Sequence, residues 1–297
     1  MKRHFSNAEY AILCFFAICV LKTSIANSAD MTLDIIAENL KVAESKIADI
    51  SLDFDRMVQF PGSPSDKIEG TWSHKHHING YFSRISYKQF QIDPNTGQSS
   101  AIADDDVVFN GRCTKILQRM SKNGRPMEGS ILSGDQCKLF GFCENPYSIG
   151  AGGPLLYDLI RGDEYVFNMD KDSEMMNGVV TAKLIGKSKN GAVRMTVWID
   201  PERSYLPIRV LIESTSLLPN RPMEVVANRF LSDVIKLPNR SWYPKTIRYD
   251  DRNGATYIIY RVLQISPAST KEPFFDFQFP PNIHVVDEVE GISYTTY

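Results

Sequence analysis

Three histidines, His74, His76 and His77, fall in one short stretch, and imidazole is the side chain that metals bind most often. On a strand His74 and His76 share a face while His77 points the other way, so no more than two could reach one ion. A catalytic zinc takes three protein ligands, and no carboxylate at ligand spacing joins these histidines, so no metal is expected. Asp104-Asp105-Asp106 lacks the spaced oxygen ligands and the glycine of a calcium loop and reads as a solvated turn. Gly150-Ala151-Gly152-Gly153-Pro154 precedes an expected helix. No parallel strand-helix-strand unit surrounds it, and its proline removes an amide that a phosphate would use. No Gly-x-Ser-x-Gly elbow, His-Glu-x-x-His pair or Gly-Lys-Ser/Thr loop occurs. These absences point to a protein that is not an enzyme, with no catalytic residue and no cofactor.

Two arginines and the cysteines remain. Arg56 falls on the even-numbered, apolar side of a strand, where a buried guanidinium must be paired or hydrogen-bonded to offset its desolvation. With Arg84 it is a candidate polar rim for an apolar cavity; the plainer expectation is a long side chain reaching out to water. Cys14 and Cys19 lie in the leader described next. Of Cys113, Cys137 and Cys143, the last two bracket a short loop containing Gly141 and are the expected disulfide in an oxidising compartment.

The elements that must position these residues begin after an export signal. Met1-Lys2-Arg3-His4 is basic, Tyr10 to Leu21 is an apolar run of twelve residues, and Ser24 and Ala26 suit cleavage after Ala26. A spanning helix needs about 20 apolar residues. Residues 1–26 therefore read as a signal peptide, with a retained anchor as the alternative, and 27–297 as a single domain. Its expected place is the periplasm or another extracytoplasmic space, as a soluble protein. A formal net charge of −2 gives no attraction to nucleic acid, and 43% hydrophobic content supplies a core.

Leu33, Ile36, Leu40, Ala43, Ile47 and Ile50 recur at steps of three and four, one stripe of a helix that Asp30 or Thr32 would cap. From Ile50 the period drops to two. Leu52, Phe54, Val58 and Phe60 alternate with Asp53, Asp55 and Gln59, a strand with one greasy and one wet face. Six Asn-Gly pairs, at 79, 110, 123, 177, 190 and 253, separate further β-rich segments and predict hairpins with primed turns. Val193 to Ile199 and Leu206 to Ile212 form two such strands around Asp200-Pro201-Glu202-Arg203. A second helix is expected over Pro154 to Arg161, with proline in its first turn. The fold class is α+β, mainly antiparallel β.

In their order these segments resemble the LolA/LolB-like outer-membrane lipoprotein-carrier superfamily of the Lol pathway, in its divergent, lipoprotein-sorting-like branch. The matching pieces are Leu52-Asp53-Phe54-Asp55-Arg56, Gly70-Thr71-Trp72, Val108-Phe109-Asn110-Gly111 and Leu155-Leu156-Tyr157-Asp158-Leu159. More specific are Val197-Trp198-Ile199-Asp200-Pro201 with Leu206-Pro207, then Ser241-Trp242-Tyr243-Pro244, and Phe277-Gln278-Phe279-Pro280-Pro281 with Val285-Val286-Asp287. The resemblance implies a curved, incomplete β-barrel whose helices cover the open, concave side. It implies an extracytoplasmic carrier or sensor that binds lipid or lipoprotein acyl chains in an apolar cavity, as a monomer, with envelope membrane proteins as further partners. Phe54, Trp72, Ile85, Tyr87 and Trp198 on strands, with Leu155, Leu156 and Leu159 on the second helix, are its candidate lining; ordinary core packing is the alternative for each. The carrier's functional arginine after its early strand is replaced here by His76-His77, which bears on lipoprotein carriage more than on fold. A non-enzymatic envelope interaction or scaffold protein with a filled core is the second reading, and an enzyme using His74 and His76 on a metal the third.

Overall fold

The computed structural model describes residues 31–297 except 48, 60–63, 78–79, 121–126, 137–144, 151–152, 171–173, 177, 216–222, 238 and 269–271. Residues 1–26, expected to be a signal, Phe60, and Cys137 and Cys143, expected to form a disulfide, lie outside the described residues, as do Asn79, Asn123 and Asn177. Cys113 carries a half-buried free thiol.

The chain begins with α1 (Leu33–Lys46), then runs through β1 (Ile50–Val58), β2 (Ser65–His77), β3 (Gly80–Ile92), β4 (Ser99–Phe109), β5 (Cys113–Met120) and β6 (Glu128–Ser133). After α2 (Leu156–Arg161) come β7 (Tyr165–Met169), β8 (Glu174–Met176), β9 (Val179–Ser188), β10 (Val193–Asp200) and β11 (Leu206–Thr215). The last strands are β12 (Met223–Lys236), β13 (Trp242–Asp250), β14 (Thr256–Pro267), β15 (His284–Asp287) and β16 (Ile292–Thr295). They form one sheet in the order β16-β15-β6-β5-β4-β3-β2-β1-β14-β13-β12-β11-β10-β9-β7, with β8 paired separately onto β9. Among the described residues no ladder joins β7 to β16, so the sheet is open. Every pairing is antiparallel except β15 with β6.

Local chemistry explains where α1 starts and stops. The Thr32 hydroxyl accepts from the Ile35 amide at 3.3 Å, and Asp49 turns the chain out of the helix at φ 62°. Asp49 then leads straight into β1, so Ile50, the last residue of the helical stripe, is already a strand residue. Ile36, Leu40, Ala43 and Ile47 are buried in the same apolar cluster as Leu52 and Phe54 of β1. The stripe and the alternating strand are thus two halves of one core.

The hairpins differ from the primed turns expected. Primed type I′ turns need positive φ at both central residues, whereas only the glycine is positive at Gly111, Gly191 and Gly254. The preceding polar residue closes the turn from its side chain instead. Asn110 Oδ1 accepts from the Arg112 and Cys113 amides, and Asn190 Oδ1 from the Ala192 amide. The second helix also starts later than expected. Pro154 and Leu155 stay extended, because the Leu156 amide donates to the Tyr147 carbonyl and the Pro154 carbonyl accepts from Ile149.

The sheet is covered on both faces. The row Leu52–Trp72–Ile85–Val107–Ile116, one residue from each of β1 to β5, is buried on the core face. On the far face Leu117, Ile283 and Val285 make a smaller cluster with Phe277 and Phe279, so the C-terminal segment packs there. On β10 residues of both faces are buried, Val197 and Ile199 on one and Thr196 and Trp198 on the other.

One core-face residue breaks the pattern. Arg229 of β12 is 1% exposed and stands in register with Val210 and Tyr249. Its guanidinium donates to the carbonyls of Ser148 (2.7 Å), Asn145 (3.2 Å) and Pro146 (3.4 Å), holding the irregular segment before α2 against the sheet. Arg229→Leu should lower stability by about 3 kcal/mol, because those carbonyls are left in the core without a donor. A shift of the urea midpoint at constant slope measures it; a loss below about 1 kcal/mol would contradict the clamp.

Candidate functional site

β13 and β14 pair only in part. Their ladder runs from Asp250↔Thr256 to Thr246↔Arg261 and stops. Past that point β13 pairs only with β12, down to Lys236↔Trp242, and β14 pairs only with β1, out to Ile50↔Pro267. The sheet forks. Pro244 sits on β13 two residues beyond the last pair, opposite Val234 of β12, and the neighbouring Asp233 takes φ 53°. Leu263 is an extra residue on β14, opposite the step from Asp53 to Phe54.

A cleft of about 660 Å³ occupies the fork, below the last turn of α1. Ile50, Ile235, Leu237, Val262, Leu263 and Ile265 give it apolar walls. Lys46, Lys236 and Lys245 border it against one carboxylate, Asp49. Asn239 donates to the Lys46 carbonyl and ties the β12–β13 turn to the end of α1. The Lys236 amine stands 5.6 Å from the Trp242 ring centroid. An apolar trough rimmed by cations suits a ligand with a hydrocarbon chain and an anionic head, and its size is that of small-molecule sites.

None of the residues predicted to line a cavity borders this cleft. Phe54, Trp72, Ile85, Tyr87, Leu156 and Leu159 are buried in the central apolar cluster, with Leu155 packed beside it. Trp198 is in register with Lys183 and Arg209, on the face opposite Val197, and its indole N–H donates to Glu174 of β8 at 2.6 Å. Arg56 and Arg84 lie on opposite faces of the sheet. Arg56 is in register with Ile68 and Tyr260 on the core side. Arg84 bonds Asp106 (2.5 Å) and the Phe274 carbonyl (3.0 Å) on the far side, pinning the C-terminal segment. The cleft was missed because its walls come from strand ends that periodicity alone does not separate from core. The proline of Trp242-Tyr243-Pro244 was the available signal.

Asp104-Asp105-Asp106 is not a solvated turn. All three lie on β4, with Asp105 and Asp106 buried, because cross-strand partners claim them. Arg84 and Arg119 bind Asp106, and the Tyr87 hydroxyl donates to Asp105 at 2.5 Å. Of the histidines, the backbones of His74, His76 and His77 belong to β2, and their side chains lie outside the described residues. Among the described residues no three His, Cys, Asp or Glu side chains gather as a metal would require. No described helix is long and apolar enough to cross a membrane.

No family model and no curated protein matches the chain. Among solved structures it is similar to an outer membrane lipoprotein-sorting protein domain from Vibrio parahaemolyticus. That match has 14% identity and a TM-score of 0.47, over 82% of this chain and 95% of that one. It is also similar to a DUF1329 family protein from Desulfovibrio piger (13%, TM-score 0.48, 82% and 97%). A third is a LolA superfamily protein from Nitrosomonas europaea (12%, TM-score 0.46, 83% and 98%).

Burial raises the Asp105 pKa, only partly offset by the Tyr87 hydrogen bond, and the same contact together with burial pushes the Tyr87 hydroxyl far above its usual range. A carboxyl raised by folding contributes stability that is complete below its unfolded pKa and is lost as pH climbs through the folded value. Asp105→Asn keeps an acceptor for Tyr87 and removes that loss. Its melting temperature should match the parent near pH 3 and exceed it at pH 7; a variant less stable at pH 7 than at pH 3, relative to the parent, contradicts the assignment.

Proposed function

We propose that residues 27–297 act as one exported unit, a carrier or sensor that takes the acyl chain of a lipid or lipoprotein into the cleft at the β13–β14 fork. In this reading the open sheet curves around α1, which lies on its concave side, and the signal segment is removed at export. The protein works as a monomer outside the cytoplasm, without chemistry of its own, and meets envelope membrane proteins when it loads or unloads. Phe54, Trp72, Ile85, Tyr87, Leu155, Leu156, Leu159 and Trp198 form the packed body that holds the fork open, and Arg56 and Arg84 brace its two faces.

The observation that carries the proposal is an apolar trough at a place where the sheet's own ladder is interrupted. Burying a methylene gains about 0.8 kcal/mol, so a sixteen-carbon chain gains on the order of 12 kcal/mol gross. Immobilisation returns several of these, leaving affinity near the micromolar range, about −8 kcal/mol. The lysines add attraction for a carboxylate or phosphate head.

Displacement of a fluorescent fatty acid tests this on the mature chain. Leu263 is 62% exposed, so a charge there costs the fold little. Leu263→Asp should weaken binding about tenfold, which is about 1.4 kcal/mol. Lys245→Glu should weaken a fatty acid more than the matching fatty alcohol. Absence of any acyl binding by the parent would leave the filled-core scaffold as the better reading.

A further inference from the structure

The fork holds more than an apolar floor: it exposes an edge in the interior of the sheet. The Gln59 amide donates to the Tyr257 carbonyl at 2.8 Å, which sets the alternation along β14. Tyr257, Ile259 and Arg261 bond toward β1, while Ile258 and Tyr260 face Tyr249 and Ile247 of β13. Val262 continues the set that faces β13. After the extra residue Leu263, Gln264 and Ser266 turn toward β1, as the Ala268 amide does when it donates to the Asp49 carbonyl at 2.8 Å. That leaves the main-chain groups of Val262 and Ile265, and the carbonyl of Pro267, aimed into the cleft. Among the described residues no strand pairs with them there.

Resting on the acyl-lipoprotein reading, we infer that the peptide segment next to the ligand's acyl chain adds to β14 as an extended strand at the fork, while the acyl chain lies on Ile235, Leu237 and Ile50. Main-chain hydrogen bonds of such an added strand supply affinity without demanding one sequence. The surplus of Lys46, Lys236 and Lys245 over Asp49 selects acidic side chains on that segment. A free fatty acid satisfies the floor and leaves the edge open.

The experiment compares palmitate with an N-palmitoyl hexapeptide of alternating Val and Glu, titrated against the full mature chain. The acyl-peptide should bind at least tenfold tighter than palmitate. N-methylation of its alternate amides, or exchange of its Glu residues for Lys, should remove that gain. Hydrogen exchange at the Val262 and Ile265 amides should slow with the acyl-peptide and not with palmitate. Equal affinity for palmitate and acyl-peptide, or a gain that survives N-methylation, overturns strand addition and leaves acyl binding standing. Failure of every acyl probe to bind overturns the acyl reading beneath it.

Discussion

Backbone N–H and C=O groups want partners, and the release of β14 by β13 after Thr246↔Arg261 organises this molecule. On one side of that break β13 and β12 stay together; on the other β14 stays with β1. Pro244 lies on β13 where the two part, and Asp233 at φ 53° and the extra residue Leu263 mark irregularities on the strands beside it. The end of α1 crosses the same place, tied to the β12–β13 turn through Asn239. The cleft is therefore set by backbone constraint before any side chain lines it.

Ile36 and Leu40 of α1 share one apolar cluster with Leu52, Trp72 and Ile85 of β1 to β3. Arg229 fastens the irregular segment before α2 onto the core face through three carbonyls. Arg84 and Lys115 fasten the C-terminal segment onto the far face through the Phe274 and Phe277 carbonyls. Cations on strands holding carbonyls on irregular chain thus recur on both faces.

Much of the architecture was readable from periodicity. The Leu33–Ile47 stripe and the Ile50–Phe54 alternation are governed by burial alone, and they appear where expected. Asn110, Asn190 and Asn253 lie in hairpin connections as expected, but the turns close through the side chains of Asn110, Asn190 and Asp251 competing for amides, which a propensity for positive φ does not capture. Asp104-Asp105-Asp106 looked like surface because acidic residues usually are; only the register that brings Tyr87 and Arg84 opposite them explains their burial. The large apolar residues picked as cavity lining are core, since a residue's size says that it is buried and not whether its neighbour is protein or ligand. The cleft itself depends on where one ladder stops, a long-range property marked in the sequence only by a proline.

The central claim is that the fork between β13 and β14 is a place for a greasy ligand. Native mass spectrometry of the mature protein, purified without detergent and then exposed to vesicles containing acylated lipid, addresses it most directly. A population carrying one acyl species, lost when Leu263 is replaced by Asp, is the predicted outcome. A protein that stays at its bare mass before and after exposure would contradict the account.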